Sequence, residues 1–267
     1  MKTLLLHFTA LTVLFTACSQ KKQTEKSGAQ PSEDKIAAFE VDSVVAADSI
    51  MVADSVTASF KMTTLVFPTI LNKTILDSIY AGQNIKTKSF SKIELQGALD
   101  SLKNNYFSET KESLTDFMPG FAQEWTQNSS MKVFSHKDDI LTLTYLSDGY
   151  TGGAHGYYNE MYRVFDLKSG RQITLNDVIS NQDAQVWSRI LMTQFLQKDL
   201  DRGQAEMLLV KDIPLNKNFY FDNANLYFLY NQYEIAAYAA GPVLIKVPFS
   251  EIKPFLQPKF RTRINLK

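Results

Sequence analysis

Residues 145–177 read YLSDGYTGGAHGYYNEMYRVFDLKSGRQITLND. A strand-like run ends at Tyr145-Leu146. A glycine-rich loop follows, Gly152-Gly153-Ala154-His155-Gly156, carrying one histidine. A second strand runs from Tyr157 to Leu167 and closes in a polar turn, Lys168-Ser169-Gly170-Arg171. Glycine in that turn supplies the positive φ that a tight return needs. The stretch therefore predicts adjacent antiparallel strands joined around a rigid loop.

Upstream, Met131 to Ser135 and Ile140 to Tyr145 are short apolar runs separated by His136-Lys137-Asp138-Asp139, a hairpin pattern. Leu141, Leu143 and Tyr145 would share one face. Leu114 to Trp125 is expected to be helical, with an interruption at Pro119-Gly120. Ser91 to Phe107 is a helix, opened by Ser91 with Glu94 three residues on as a capping box, and lined by Leu95, Leu99, Leu102 and Tyr106. Ile70 to Tyr80 is another, ending at Ala81-Gly82. Phe60 to Val66 alternates as a strand does and stops before Pro68.

Downstream, Ile173-Thr174-Leu175 leads to a helix start near Asn176-Asp177. Val186 to Leu200 has helical spacing at Val186, Ile190, Leu191, Phe195 and Leu196, with Gly203 beyond it. Phe219 to Phe221, Leu226 to Tyr230 and Val243 to Val247 are strands. The middle one is apolar on both faces and hence central. Phe249 to Leu256 is a last short helix. Antiparallel sheets packed with helices, without βαβ regularity, make the fold class α+β.

The N-terminus carries an address. Lys2 precedes Leu4 to Phe15, an apolar run too short to span a bilayer. It ends in Phe15-Thr16-Ala17-Cys18, which resembles a bacterial lipobox, although leucine is commoner where Phe15 stands. Cys18 is the single cysteine among 267 residues, so no intrachain disulfide can form and lipidation is its expected fate. Residues 1–17 are then a lipoprotein signal peptide, 18–58 a disordered tether, 59–129 an N-terminal α+β half and 130–267 a C-terminal domain. Within the tether Asp42-Ser43-Val44, Asp48-Ser49-Ile50 and Asp54-Ser55-Val56 recur every six residues, too short for a solenoid. The lysines that follow Cys18 favour a periplasm-facing position. Balanced charge, 28 basic against 28 acidic residues, argues against a nucleic-acid partner.

The loop GYTGGAHGY, the strand and turn VFDLKSGRQITLND, a helix, then YFLYNQYEIAAYAAG and PFSEIKPFL occur in that order. From Ser130 to Leu256 this resembles the extracytoplasmic domain family shared by the peptidoglycan deacetylase PdaC and the lysozyme-sensing anti-sigma factor RsiV. Residues 59–121 resemble the accompanying N-terminal half. The resemblance implies a sensory or binding domain, with lysozyme or peptidoglycan as partners and the membrane engaged through the lipid. It implies no catalysis, because the T-F-D-D-G-P type motif of the deacetylase domain is missing from this sequence.

Candidate chemistry centres on the loop. Asp148, Tyr150, His155 and Tyr158 are candidate ligand contacts, since aromatics beside a rigid loop suit a protein or sugar surface. Gly152, Gly153 and Gly156 are expected to serve backbone geometry rather than a phosphate cradle, because the spacing is not G-x-G-x-x-G. His155 with Asp148 or Glu160 would be the pairing of an envelope hydrolase. Against it, two histidines remain after the leader, too few for a zinc site, and no G-x-S-x-G elbow occurs. His155 is expected instead to bond to backbone and fix the loop. No metal and no cofactor are expected. Tyr227, Tyr230, Tyr233 and Tyr238 read as core. A third reading leaves the protein purely structural.

Overall fold

Residues 42–58, expected to end the tether, are strands. In this computed structural model, which describes residues 39–115, 118–198 and 203–266, β1 spans Asp42–Ala53 and β2 spans Val56–Val66. They pair antiparallel from Asp42↔Val66 to Ala53↔Val56. A repeat of six is even, so the first two copies present the same residues to the same face of β1, while Asp54 and Ser55 of the third make the turn into β2. Val44 and Ala46 point into the core, at 4% and 3% exposure, while Val45 between them faces water. Phe39 is already tied to the body, its ring stacked 3.9 Å from that of His136. The leader, Cys18 and the first part of the expected tether lie outside the described residues.

From β2 the chain crosses through two helices, α1 (Lys73–Tyr80) and α2 (Lys92–Ser113). Asn72 caps α1 by accepting from the Ile75 amide at 3.2 Å, and Ser91 caps α2 by accepting from Glu94 at 3.3 Å. The Glu94 carboxylate accepts from Thr87. The described residues of the expected helix from Leu114 to Trp125 do not continue it, since proline and glycine at 119–120 cannot sustain one. The Gln123 amide instead donates to Ser55 O at 2.8 Å, and β3 (Gln123–Lys137) enters beside β2 in parallel. This parallel pair, the one such pair among the described residues, needs a long crossover, which the two helices provide.

β4 (Ile140–Tyr150) returns along β3 through the expected turn. Asp138 and Asp139 there have φ of 51° and 61°, the two left-handed residues a two-residue hairpin turn requires. β5 (Tyr157–Asp166) and the short β6 (Arg171–Ile173) complete a six-stranded sheet in order β1 to β6. The expected boundary at 129/130 falls inside β3, so the halves are not separate domains.

The last third adds α3 (Leu175–Val178), closed by the Thr174–Asp177 capping box, and α4 (Ala184–Lys198). A three-stranded antiparallel sheet follows: β7 (Phe219–Phe221), central β8 (Asn225–Tyr230) and β9 (Val243–Pro248). Two short helices, α5 (Phe249–Ile252) and α6 (Pro258–Arg263), finish the chain. The buried face of α4 is Trp187, Leu191 and Phe195, while Leu196, expected inside, is 49% exposed.

Each face of the large sheet has its own core. Leu141, Leu143, Tyr145 and Phe165 pack under α1 and α2 with Ile75, Ile79, Leu95 and Leu99. On the other face Tyr162, Val164 and Ile173 join Trp187, Leu226 and Phe228 in the second core. The seam is polar. β6 pairs only with Val164 to Asp166, which leaves the edge of β5 short of partners from Tyr158 to Tyr162. Amide side chains supply them: Gln232 accepts from Tyr158 N, Asn231 from Glu160 N and Asn218 from Tyr162 N, at 3.3, 2.8 and 2.8 Å. Asn218 and Asn231 also both donate to Glu160 O. Arg263 adds a second tie, donating to both carboxylate oxygens of the buried Asp166. Burial raises the Asp166 pKa, but the bonds from Arg263 and Ser169 outweigh it and hold this carboxyl below its ordinary value.

Candidate functional site

Strand alternation decides which loop residues can act together. Leu141, Leu143 and Tyr145 face the helices, so Leu146, Asp148 and Tyr150 face the other way. Register then builds rows across the sheet. Ala47, Lys61, Asn128, Asp148 and Tyr158 stand abreast on five strands. Ser49, Ser59, Thr126 and Tyr150 form the next row. Val45, Ala47, Ser49, Met51, Lys61 and Glu124 are exposed, so on β1 to β3 this face is open. It is polar and cross-linked: Asn128 donates to Asp148 at 2.9 Å, and Ser59 meets Ser49 at 2.8 Å and Glu124 at 2.5 Å.

The sheet thus brings Asp148, Tyr150 and Tyr158 onto one surface. Among the described residues the Tyr150 hydroxyl has no protein partner. Tyr158 donates to Glu160 at 3.0 Å, and burial, then the Glu160 charge, pushes its pKa up to about 12. Tyr162 donates to the other Glu160 oxygen.

His155 belongs to a wall beside this surface. Its Nδ1 lies 2.9 Å from Gly156 O. A carbonyl only accepts, so Nδ1 carries the proton and Nε2 takes the Tyr233 hydroxyl at 3.1 Å. The ring stacks on Tyr238 at 4.0 Å between centroids. The three groups of the hydrolase pairing therefore have different hydrogen-bond partners: His155 has Gly156 and Tyr233, Asp148 has Asn128, and the Glu160 carboxylate has Tyr158 and Tyr162. Among the described residues no three His, Cys, Asp or Glu side chains gather as a metal site.

Tyr233 and Tyr238 were expected in the core with Tyr227 and Tyr230. Tyr230 is there, but Tyr233 is 58% exposed and sits at φ 66°. Its place in the wall, 78 residues from His155, is a product of the seam between the two sheets and has no local signal. Lys61 and Asn128 also escaped notice, since only the parallel register sets them beside Asp148.

The loop glycines differ in what they do. Gly152 has φ 84°, and a Cβ there would come within 2.8 Å of the Trp125 ring. A Cβ on Gly156 would stand 2.7 Å from Gly149 O. Gly153, expected to be equally constrained, has nothing nearer than 3.9 Å. Gly152→Val is expected to cost about 2 kcal/mol, from the left-handed backbone and the clash together. Gly153→Ala should stay within about 0.5 kcal/mol of the parent. Chemical denaturation of the two variants checks this contrast, and equal losses would show that the loop is held by something other than backbone geometry.

Two family models match the chain. Residues 51–158 match the model described as Deacetylase PdaC, and residues 167–250 match Protein of unknown function (DUF3298). No curated protein matches. Among solved structures, a DUF3298-family member from Bacteroides fragilis superimposes with a TM-score of 0.72 at 20% identity, covering 86% of this chain and 98% of the other. A DUF3298-family protein from Pseudomonas aeruginosa gives 0.58 at 16% identity, over 83% and 96%. At these identities the likeness is one of fold.

Proposed function

We propose that this chain, which joins a PdaC-type segment to a DUF3298 segment, is a noncatalytic binding or sensing module of the bacterial cell envelope. Lipidation at Cys18 would hold it to the membrane, facing the periplasm. Among the described residues no helix is long and apolar enough to cross a bilayer, which is compatible with attachment through lipid. Its ligand is an envelope protein or glycan, lysozyme or peptidoglycan being the first to try. One observation carries the reading: Asp148, Tyr150 and Tyr158, all half-buried, stand at the border of the polar sheet face that is open on β1 to β3, beside a wall of aromatic rings around His155. A flat face with tyrosines at its border suits a large partner better than a small substrate.

The test is a binding titration of the full chain, in detergent, against lysozyme and against soluble peptidoglycan fragments. A protein begun at Ser59 would lack β1 and is unsuitable. Saturable binding is expected, weakened at least about tenfold by Tyr150→Ala with Tyr158→Ala, as loss of central aromatic contacts entails. Absence of binding to both ligands, or binding indifferent to both substitutions, would overturn the proposal.

A further inference from the structure

At the other end of β4, roughly 30 Å from the glycine loop at 3.3 Å per residue, lies a half-open cleft of about 380 Å³. It opens between the β3–β4 turn, the β7–β8 hairpin and the residues after α6. Phe134, Ile140, Tyr220, Phe221, Tyr227 and Ile264 give it apolar walls. The rings are ordered: Tyr220 and Tyr227 stack at 4.6 Å and 7°, and Phe134 leans on Tyr220 at 4.7 Å and on Tyr162 at 5.1 Å. Phe134 nevertheless keeps 48% of its surface exposed, a large aromatic left half-covered at the cleft mouth.

The polar groups divide into those already engaged and those still free. The Asp222 carboxylate accepts from the Tyr227 hydroxyl, two backbone amides and the Asn225 side chain, and so acts as a brace for the Tyr227 ring. Arg263 is held by Asp166 and by Asp138 O through Nε and one terminal nitrogen. Its other terminal nitrogen, the Lys137 amine and the Asn223 amide have no acceptor among the described residues. All three residues line the cleft. The cleft thus combines fixed aromatic faces with unspent donors.

We propose that this cleft is a subsite for an uncharged pyranose ring of a glycan chain. A pyranose has an apolar face of C–H groups, which matches the rings, and a rim of hydroxyl and carbonyl oxygens, which matches the donors. A purely apolar ligand would strand those donors away from water. A phosphate or polyanion is disfavoured, because Asp138, Asp139 and Asp166 surround Arg263 and Asp222 stands nearby. The volume is of the size that small-molecule sites have. The site is distinct from the sheet face and shares with that reading only the possibility of a glycan.

The experiment is calorimetric titration of the full chain with a neutral chitin trisaccharide, with AMP and octanoate in parallel. Saturable binding of the trisaccharide alone is expected, weakened at least about fivefold by Phe134→Ala and by Asn223→Ala and unchanged by Ile93→Ala, a substitution at an exposed position of α2 outside both sites. Asn223 is exposed, so its variant keeps the test interpretable if Phe134→Ala lowers the melting temperature. Failure to bind the trisaccharide, preference for AMP or octanoate, or a loss in Ile93→Ala as large as in the cleft variants would each overturn the cleft assignment. Such a failure leaves lysozyme binding at the sheet face to stand or fall by its own titration.

Discussion

Trp187→Ala is expected to remove about 3–5 kcal/mol of folding free energy, the range for deleting a large aromatic from a packed core. Trp187 is fully buried on α4, with its ring edge-on to Phe228 at 6.1 Å and 66°. Its indole Nε1 donates to Asn181 O at 2.7 Å, so the substitution removes both packing and the partner of a backbone carbonyl at the start of the helix. For a body of this size the melting temperature should fall by roughly 10 °C. Thermal and urea denaturation measure it, and a loss under about 1 kcal/mol would mean that the second core does not depend on α4. The effect should be largest in amides of β8 and β9, which pack on this helix, and hydrogen exchange would localise it.

Replacing Asn218 and Asn231 together by leucine should cost about 4 kcal/mol. Each residue satisfies one backbone amide on the edge of β5, and both donate to Glu160 O. Leaving a buried backbone group without a partner costs about 1–3 kcal/mol. Leucine keeps the approximate volume, so the loss would report hydrogen bonding more than packing. Because the two side chains share one carbonyl, the double variant should cost less than the sum of the singles. Exchange of the Tyr158, Glu160 and Tyr162 amides should accelerate before global unfolding. If those amides remain as protected as in the parent, the halves are joined by their apolar contacts and the amide seam is incidental.

Legibility in the sequence followed the range of the interaction. The hairpin at Asp138-Asp139, the cap at Ser91 and the central position of β8 depend on residues within a few places of one another, and local pattern revealed them. The phase of α4 was less clear, because apolar residues occur around most of the helix. Trp187 rather than Leu196 faces inward for a tertiary reason, the position of Phe228. β1 was missed because its apolar residues fall on both faces, Val44 and Ala46 inward and Val45 and Met51 toward water, so no polar–apolar alternation marks it.

The candidate site shows the same division. Asp148, Tyr150, His155 and Tyr158 were visible as a cluster in one short stretch, but the common face of Asp148 and Tyr150 follows only because β4 runs on to Tyr150, past the expected end at Tyr145-Leu146. Their company was not visible. Lys61 and Asn128 stand in the row of Asp148 because β2 and β3 pair in parallel across a crossover of two helices. Tyr233 and Tyr238 reach His155 because amide side chains hold the second sheet against the edge of β5.

The amino-acid order alone therefore settles the α+β class, the turns and caps, and the inward faces of most strands, all consequences of backbone sterics and of residue spacing along one element. Assembly settles the rest. It places one core on each side of a shared sheet, recruits residues 42–53 as its first strand and opens the cleft beside Phe134. Those features arise from pairing between segments far apart in the chain, where the free energy lies in burial and in hydrogen bonds that no local window contains.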